Sequence, residues 1–176
     1  MNLKNMKDSK NYSKGFFESL RNLQFLRNTE KNKILIIALT SIAVVLLDQL
    51  TKLIVIQNIS LTQSIPLISN IFHLTYIQNT GAGFGLFQES IRLLIWFSII
   101  VIGLILYFYE AIPGKKYTQA SVALILGGTL SNLIDRIRLG YVIDFLDFRV
   151  WPSFNIADAA ITIGVVGLII YMLKKK

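Results

Sequence analysis

Four of the ten acidic residues lie within residues 127–158, GGTLSNLIDRIRLGYVIDFLDFRVWPSFNIAD, a stretch that is otherwise strongly apolar. Carboxylates at the ends of membrane-grade hydrophobic segments are costly, so they indicate function by default. Two carboxyl groups held close together share one proton, and one then serves as acid and the other as base. Such a pair can activate a water molecule to attack a peptide carbonyl. The four acids are Asp135, Asp144, Asp147 and Asp158.

Asp158 falls in the first turn of a predicted helix, and Asn155 is a natural N-cap for that helix. The positive end of the helix dipole favours an ionised carboxylate at this position. Capping alone would also explain Asp158. Its partner would come from the other three acids, and the spacing alone does not choose among them.

Composition and hydropathy place these acids in a membrane protein. The 176 residues are 53% hydrophobic, with a mean hydropathy of +0.57. The apolar residues form four blocks, each about long enough to cross ~30 Å of hydrocarbon as a helix. We therefore predict an all-α membrane protein with four transmembrane helices. The predicted spans, within a domain of residues 34–176, are about 34–56, 91–109, 117–134 and 156–173.

The distribution of basic residues predicts the membrane topology. The net charge is +8, and eight of the eighteen Lys and Arg residues precede residue 34. Others lie at 115–116 and 174–176. The positive-inside rule then places both termini and the 110–116 loop in the cytoplasm. The charge therefore reflects topology and does not indicate a nucleic-acid partner. The absence of Cys excludes disulfides and thiol nucleophiles.

Residues 1–33 form a basic N-terminal extension. Phe16, Leu20 and Leu23 follow i, i+4, i+7 spacing, which fits a short helix on the anionic cytoplasmic surface. A disordered basic tail is an equal alternative. The first apolar block begins at Ile34 and lacks a small-residue cleavage pattern, so we interpret it as a retained span.

The predicted outer loop, residues 57–90, contains no Lys or Arg. Residues 72–76 alternate apolar and polar, which predicts a half-buried strand. Residues 59–65 could pair with it across a turn near Pro66 and Ser69–Asn70. We therefore expect a small extracytoplasmic β-sheet between helices 1 and 2.

A glycine-rich segment, NTGAGFG, follows at residues 79–85. Its glycines allow close backbone approach to a ligand, but no Lys or Ser/Thr follows at P-loop spacing. The single histidine, His73, is best explained as an exposed strand residue. Because zinc-site and serine-hydrolase motifs are absent, we predict no metal and no cofactor.

Two polar stripes lie on the predicted spans. Asp48 and Lys52 are four apart and share a helix face in span 1, either as a structural ion pair or in support of the acids. In span 3, a glycine, an amide, a carboxylate and a guanidinium fall on one face, which is not a lipid-facing pattern. The last two could instead form a structural pair. This stripe comprises Gly128, Asn132, Asp135 and Arg136.

The predicted topology brings the polar groups to one level. Six of them, from five segments, fall at the outer side of the membrane. Independent structural ion pairs need not share one depth, so the convergence favours a functional site. The six are Asp48, Asn79, Asp135, Asp144, Asn155 and Asp158.

These motifs, in this order, closely resemble the lipoprotein signal peptidase family, also called signal peptidase II, of bacterial aspartic membrane proteases. The resemblance covers about residues 34–173. It is carried by DQLTK at 48–52, NTGAGF at 79–84, GG at 127–128 with NLIDR at 132–136, VIDF at 142–145 and FNIAD at 154–158.

The resemblance implies a catalytic pair, Asp144 and Asp158, that acts without a cofactor. It implies that the substrate is a prolipoprotein carrying diacylglycerol on its lipobox cysteine, cleaved just before that cysteine. It also implies a monomer in the bacterial cytoplasmic membrane, among membrane lipids, with its site at the outer leaflet and sensitivity to globomycin-type inhibitors. The implied supporting residues are Asp48, Lys52, Asn79, Gly81, Gly128, Asn132, Asp135, Arg136 and Asn155.

Three departures from the family pattern stand out. Gly83 replaces a common alanine, the stretch between Asp144 and Asn155 is short, and residues 1–33 are longer than the family usually needs. Two other classes of function remain open from the residues alone. A proton-coupled transporter also uses intramembrane carboxylates, but no internal repeat is visible. A non-catalytic membrane scaffold would leave the converging polar groups without a purpose.

Overall fold

The computed structural model describes residues 3–81 and 90–174, with side chains described from residue 29 onward. The chain divides into a unit of residues 1–35 and a unit of residues 36–176. The glycine-rich prediction at 82–85, including Gly83, lies outside the described residues. The elements are α1 (Leu3–Asn58), β1 (Ser64–Ile68), β2 (Phe72–Asn79), α2 (Ile91–Tyr107), a 3₁₀ turn (Tyr109–Ala111), α3 (Lys116–Leu139), β3 (Val142–Asp147) and α4 (Ile156–Lys174).

The apolar helices confirm the predicted architecture of a multi-pass helical membrane protein. Among the described residues, three helical segments are long and apolar enough to cross a membrane: Thr29–Asn58 within α1, then α3 and α4. The fourth, α2, is apolar but has 17 residues, or about 25 Å at 1.5 Å per residue. α1 begins at Leu3. The face that Phe16 and Leu20 present lies outside the described side chains and stays a prediction.

Helix α3 is longer than the predicted span, which was expected to end at residue 134. It continues to Leu139 and ends at Gly140, whose φ of 78° is left-handed and whose N–H donates to Arg136 O. This is a glycine-terminated helix end. The helix therefore extends five residues beyond the predicted span and includes Asp135 and Arg136, as the predicted polar stripe requires.

The sheet has three antiparallel strands in the order β1-β2-β3. The predicted pairing of two strands between helices 1 and 2 is confirmed, but Pro66 lies within edge strand β1, where the missing N–H is tolerated. The turn is formed by Ser69 and Asn70, which has φ of 62°. The third strand, β3, arises from residues predicted to be loop. It pairs with β2 through Ile77↔Asp144 and Asn79↔Val142.

Close packing of α3 against α1 and α4 sets the helix core. A Cβ added to Gly127 would lie 2.7 Å from Ser41 O on α1, and one added to Gly128 would collide with Ala157 O on α4. The two glycines therefore serve helix–helix contact on opposite sides of α3, as small residues do in membranes.

The sheet packs on the end of α1. Val55 and Ile59, at the end of α1, are buried against Tyr76 of β2 and against Ile143 and Phe145 of β3. The middle of β3 is thereby held close to the start of α4, which follows it in the chain. This packing positions the carboxyl group that β3 carries.

Candidate active site

Asp144 lies in the middle of β3 and is only 2% exposed. Its two carboxylate oxygens accept hydrogen bonds from two amides. Asn79 Nδ2, at the end of β2, donates to Oδ2 at 2.8 Å, and Asn155 Nδ2 donates to Oδ1 at 2.7 Å. The sheet register places the amide and the carboxyl on adjacent strands.

Asp158 lies in the first turn of α4, where it forms a reciprocal cap with Asn155. The Asp158 N–H donates to Asn155 Oδ1 at 2.9 Å, and the Asn155 N–H donates to Asp158 Oδ2 at 3.3 Å. This is the geometry of a capping box. Asp158 Oδ1 also accepts from Asn132 Nδ2 of α3 at 2.8 Å. Asp158 therefore caps α4 and also accepts a hydrogen bond from outside the cap, from α3.

The three amides present only N–H groups to the two carboxyls, because each amide oxygen has another partner. Asn79 Oδ1 accepts from the Gly81 N–H at 2.9 Å. Asn132 Oδ1 accepts from Lys52 Nζ at 3.0 Å and from Asn155 Nδ2 at 3.2 Å. The amide orientations are therefore set by neighbouring groups, and the carboxyl pair is surrounded by donors.

A buried ionic cluster supports this arrangement from α1. Lys52 Nζ lies 2.6 Å from Asp48 Oδ2 and 2.7 Å from Asp135 Oδ2, and these side chains are at most 3% exposed. Asp48 also accepts from Ser131 Oγ at 2.7 Å and from the Ala157 N–H at 2.8 Å. The predicted pair of Asp48 and Lys52 is present, and it ties α1 to the start of α4.

Asp135 and Arg136, which could have formed a structural pair, have different partners. Asp135 faces α1, where it binds Lys52, while Arg136 Nη1 lies 3.5 Å from Ser98 Oγ of α2. Adjacent positions on a helix point about 100° apart, so the two charges face different neighbours. In the described part of the chain Arg136 Nε has no hydrogen-bond partner.

A cavity of about 270 Å³ lies between the sheet, α3 and α4. Both Asp144 and Asp158 line it, together with Arg136 and the segment that follows β3. A second cavity, of about 390 Å³, lies among α2, α3 and α4, and it also borders Arg136 and Asp158. Its other residues are mostly apolar. Asp158 therefore borders both cavities, and Asp144 borders the first.

Burial and the nearby charge of Asp158 raise the pKa of Asp144 to about 7. The hydrogen bonds from Asn79 and Asn155 and the charge of Lys52 oppose this increase but do not cancel it. A carboxyl with this pKa is protonated in part of the molecules at neutral pH. It can therefore donate a proton to a substrate.

The other two acids from the same stretch have different partners. Asp135 belongs to the ionic cluster. Asp147 accepts from Thr75 Oγ1 at 2.8 Å and pairs with Arg149 Nη1 at 3.0 Å. His73, as expected for a strand residue, lies in β2, and its Nδ1 is 2.9 Å from Ser64 Oγ. Among the residues with described side chains, no three His, Cys, Asp or Glu residues gather as a metal site.

Two polar residues of the site were not predicted. Gln49 Nε2 donates to Asp135 Oδ1 at 2.8 Å and lies 3.1 Å from Ser131 Oγ, which in turn donates to Asp48. Ser131 lies four residues before Asp135, so a search for polar partners one helical turn away would have found it. Trp151 and Phe154 also line the cavity of about 270 Å³, and neither was predicted as a site residue.

The fold and the site define a multi-pass helical membrane protein with a polar site at one end of its spans. Residues 40–174 match the family model described as signal peptidase (SPase) II. The chain belongs to the signal peptidase II family and is therefore a membrane peptidase.

Curated relatives carry the same family name. The lipoprotein signal peptidase of Halothermothrix orenii is 48% identical over 129 residues, covering 73% of this chain and 89% of that one. That of Moorella thermoacetica is 44% identical and that of Clostridioides difficile 43%, over 129 residues each, covering 73% and 72% of this chain and 86% and 87% of theirs. These relatives give no support to a proton-coupled transporter.

Solved structures share the fold. One, described as a bacterial membrane enzyme structure at 2.3 Å resolution, has a TM-score of 0.74 and 32% identity, covering 78% of this chain and 87% of that one. A second, at 1.9 Å, has a TM-score of 0.72 and 32% identity, covering 80% and 94%. The arrangement of helices and sheet is therefore shared with solved structures of bacterial membrane enzymes.

Proposed function

We propose that this chain is an aspartic endopeptidase that removes the signal peptide from diacylglyceryl-modified prolipoproteins by cleaving before the lipidated cysteine. The observation that carries the proposal is the pair of carboxyl groups, Asp144 from β3 and Asp158 from α4, that line one cavity. Family membership supplies the substrate class, because the curated relatives are named lipoprotein signal peptidases.

The geometry favours different roles for the two acids. Asp144 holds the shared proton, in keeping with its pKa of about 7. Asp158 is the ionised base, because it lies at the positive end of α4 and accepts from Asn132 and from the Asn155 N–H. Asp158 removes a proton from water as the water oxygen attacks the scissile carbonyl. Asp144 donates its proton to the carbonyl oxygen.

The tetrahedral intermediate then collapses by the reverse transfers. Asp144 takes the proton back from the new hydroxyl, and Asp158 gives its proton to the leaving amine. The products are the signal peptide with a free carboxyl end and the lipoprotein with a free amino group on its lipidated cysteine. The pair returns to its starting state with one proton.

The buried cluster supports the base through one amide. Lys52 binds Asn132 Oδ1, and Asn132 Nδ2 then faces Asp158. Asp48 fixes the start of α4 by accepting from the Ala157 N–H. Asn79 and Asn155 hold Asp144 in the same way from β2 and from the cap of α4. We assign these residues, together with Asp135, to positioning and not to chemistry.

Arg136 and the apolar cavity are suited to substrate contact. The guanidinium borders both cavities and has an unpartnered Nε in the described structure. It can bind a backbone carbonyl near the scissile bond. The apolar cavity of about 390 Å³ is suited to an apolar part of the lipidated peptide. Gly81 borders the polar cavity, and Gly128 sets the spacing of α3 and α4.

The distribution of Lys and Arg supports the placement of the site. We propose a monomer in the bacterial cytoplasmic membrane with both termini in the cytoplasm and the aspartate pair at the outer leaflet. Residues 1–33 are a cytoplasmic extension and residues 34–176 the peptidase domain. Globomycin-type inhibitors would occupy the cavity that the pair lines.

A gel-shift assay tests the proposal with a diacylated prolipoprotein, with and without globomycin. Wild type is expected to release the signal peptide, and the inhibitor is expected to prevent this. Asp144→Asn and Asp158→Asn should insert in the membrane and give no product. Asp147→Asn is the matched control, because it changes a neighbouring acid on the same strand that does not line the cavity. Normal turnover by Asp144→Asn or Asp158→Asn would overturn the proposal.

A further inference from the structure

One end of the outer sheet carries exposed apolar side chains from two separate loops. Ile68 pairs with Phe72, and His73 pairs with Asp147 in the next row. The β1–β2 turn and the residues after β3 therefore meet at the same end of the sheet. We call this end the sheet tip, defined by Ile68, Ile71, Phe148, Val150 and Trp151.

The exposure of the sheet tip is large for apolar groups on an ordered element. Val150 is 93% exposed, Ile71 and Trp151 are each 58% exposed, and Ile68 is 54% exposed. Aromatic stacking joins the two loops: the rings of Phe72 and Phe148 have centroids 4.7 Å apart. Phe148 also stacks on Phe154, at 5.9 Å. The exposed side chains of the sheet tip are thus next to three stacked phenylalanine rings.

The charge pattern around the sheet tip excludes an ordinary water-facing loop. Residues 57–88 contain no Lys, Arg, Asp or Glu. On the other loop, the only charged residue between 148 and 157 is Arg149, which is paired with Asp147. Aliphatic groups beside a tryptophan and an arginine are the composition of a membrane–water interface.

Exposed apolar side chains are also found on α1 and on the segment that joins α1 to the sheet. Exposed aliphatic residues run from the outer part of α1, with Leu53 and Ile54, through Leu61 to the hairpin. The sheet packs on the helix ends through Tyr76, so it lies at the level where the spans leave the hydrocarbon. Phe72, next to the sheet tip, lies four residues before Tyr76 on β2. At about 3.3 Å per residue, the two are separated by about 13 Å.

We propose that the sheet tip inserts into the outer leaflet and binds bilayer lipid at the boundary of headgroups and acyl chains. This contact holds the sheet, and with it the wall of the cavity that Trp151 lines, at a fixed depth. The occupant is bulk lipid and not the acyl chains of a substrate, so the contact exists without substrate. It rests on the outer placement of the sheet and not on the peptidase chemistry.

The test uses single cysteines, which the chain allows because it has none of its own. Ile71→Cys and Val150→Cys carry a nitroxide spin label, in vesicles of phosphatidylethanolamine and phosphatidylglycerol without substrate. Ile163→Cys, on the exposed face of α4, is the lipid reference. Gly114→Cys, with no atom within 4 Å of its added Cβ, is the water reference. Collision with oxygen is compared with collision with a water-soluble nickel chelate.

We expect both tip labels to favour oxygen over the nickel chelate, as the Ile163 label does, and to differ from the Gly114 label. Tip labels as accessible to nickel as Gly114 would overturn the proposal, because the tip would then lie in water. Labels shielded from both reagents would overturn it too, since a second copy or another protein would then cover the tip.

A native probe keeps the test independent of the label. Trp151 becomes the single tryptophan in a Trp96→Phe variant, since the chain has two. Its fluorescence is measured in vesicles whose lipids carry bromine at different depths. We expect the strongest quenching from bromines near the top of the acyl chains. Absence of quenching at every depth would contradict lipid contact.

Discussion

Lys52 Nζ and Asn132 Oδ1 lie 3.0 Å apart at a place that water hardly reaches, since the two residues are 2% and 3% exposed. This contact holds the amide oxygen toward α1 and leaves its Nδ2 2.8 Å from Asp158 Oδ1. A buried positive charge acts strongly at this distance because little solvent screens it.

Removing the charge of Lys52 should move the pH dependence of cleavage. The variant Lys52→Met with Asp135→Asn removes one ammonium and one carboxylate together, so the cluster keeps its net charge. Because Lys52 lowers the pKa of Asp144, its loss raises that pKa further above its ordinary value. Asp144 then keeps its proton to higher pH, and the alkaline limb of kcat/KM shifts upward. Gln49→Met, which removes hydrogen bonds to Asp135 and Ser131 but no charge, should leave the limb in place. If the alkaline limb of kcat/KM does not shift in the double variant, Lys52 has only a structural role.

Lys52→Met alone should be far less stable than the double variant. It leaves the carboxylates of Asp48 and Asp135 buried without their shared cation. Breaking a buried ion pair on one side costs about 3–5 kcal/mol. We expect a lower Tm in detergent for the single variant and recovery of part of that loss in the double variant. Equal Tm values for the two variants would contradict the pairing.

Asp144→Asn should stabilise the protein at high pH while it removes activity. The folded pKa of Asp144, about 7, lies above its ordinary value of 3.8. The folded state therefore binds more protons, and its stability falls as pH rises through this window, by about 1.4 kcal/mol per pH unit. The neutral asparagine lacks this penalty. Thermal unfolding at pH 5 and pH 8 should show a larger gain for the variant at pH 8. A gain that is the same at both values would contradict the raised pKa.

Gly128→Ala should displace the start of α4 and slow cleavage. The added Cβ would collide with Ala157 O and lie 2.7 Å from Ile161 Cγ1. Overpacking of this kind costs about 1–3 kcal/mol, and Asp158 is the next residue after the displaced carbonyl. Gly103→Ala on α2 is the control, because its added Cβ meets no atom within 4 Å. Turnover and Tm should fall for Gly128→Ala and stay near wild type for Gly103→Ala.

The spans and the first hairpin could be predicted from the sequence because hydropathy and alternation are local signals. The partners of Asp135 and Arg136 on α3 could not be predicted, because they come from other elements: Lys52 on α1 and Ser98 on α2. Strand β3 was missed because its apolar residues are buried on both faces, so the sequence VIDFLD does not alternate.

The composition of the site was also only partly predictable. The motifs identified the polar residues, but the spacing left the partner of Asp158 open among three acids. The structure separates these acids by their contacts: Asp135 binds Lys52, Asp147 binds Arg149, and Asp144 lines the cavity. Contacts over 80 residues or more, such as Gln49 with Asp135, leave no local pattern in a single sequence.

The most direct test of the central claim is the single-turnover rate of a diacylated prolipoprotein with wild type, Asp144→Asn, Asp158→Asn and Asp147→Asn, each shown by its Tm to be folded. The account predicts that the first two variants lose about 10²–10⁴-fold or more, the range for a general acid or base, while Asp147→Asn stays near wild type. Asp144→Asn or Asp158→Asn cleaving at the wild-type rate, or Asp147→Asn losing as much as they do, would contradict it.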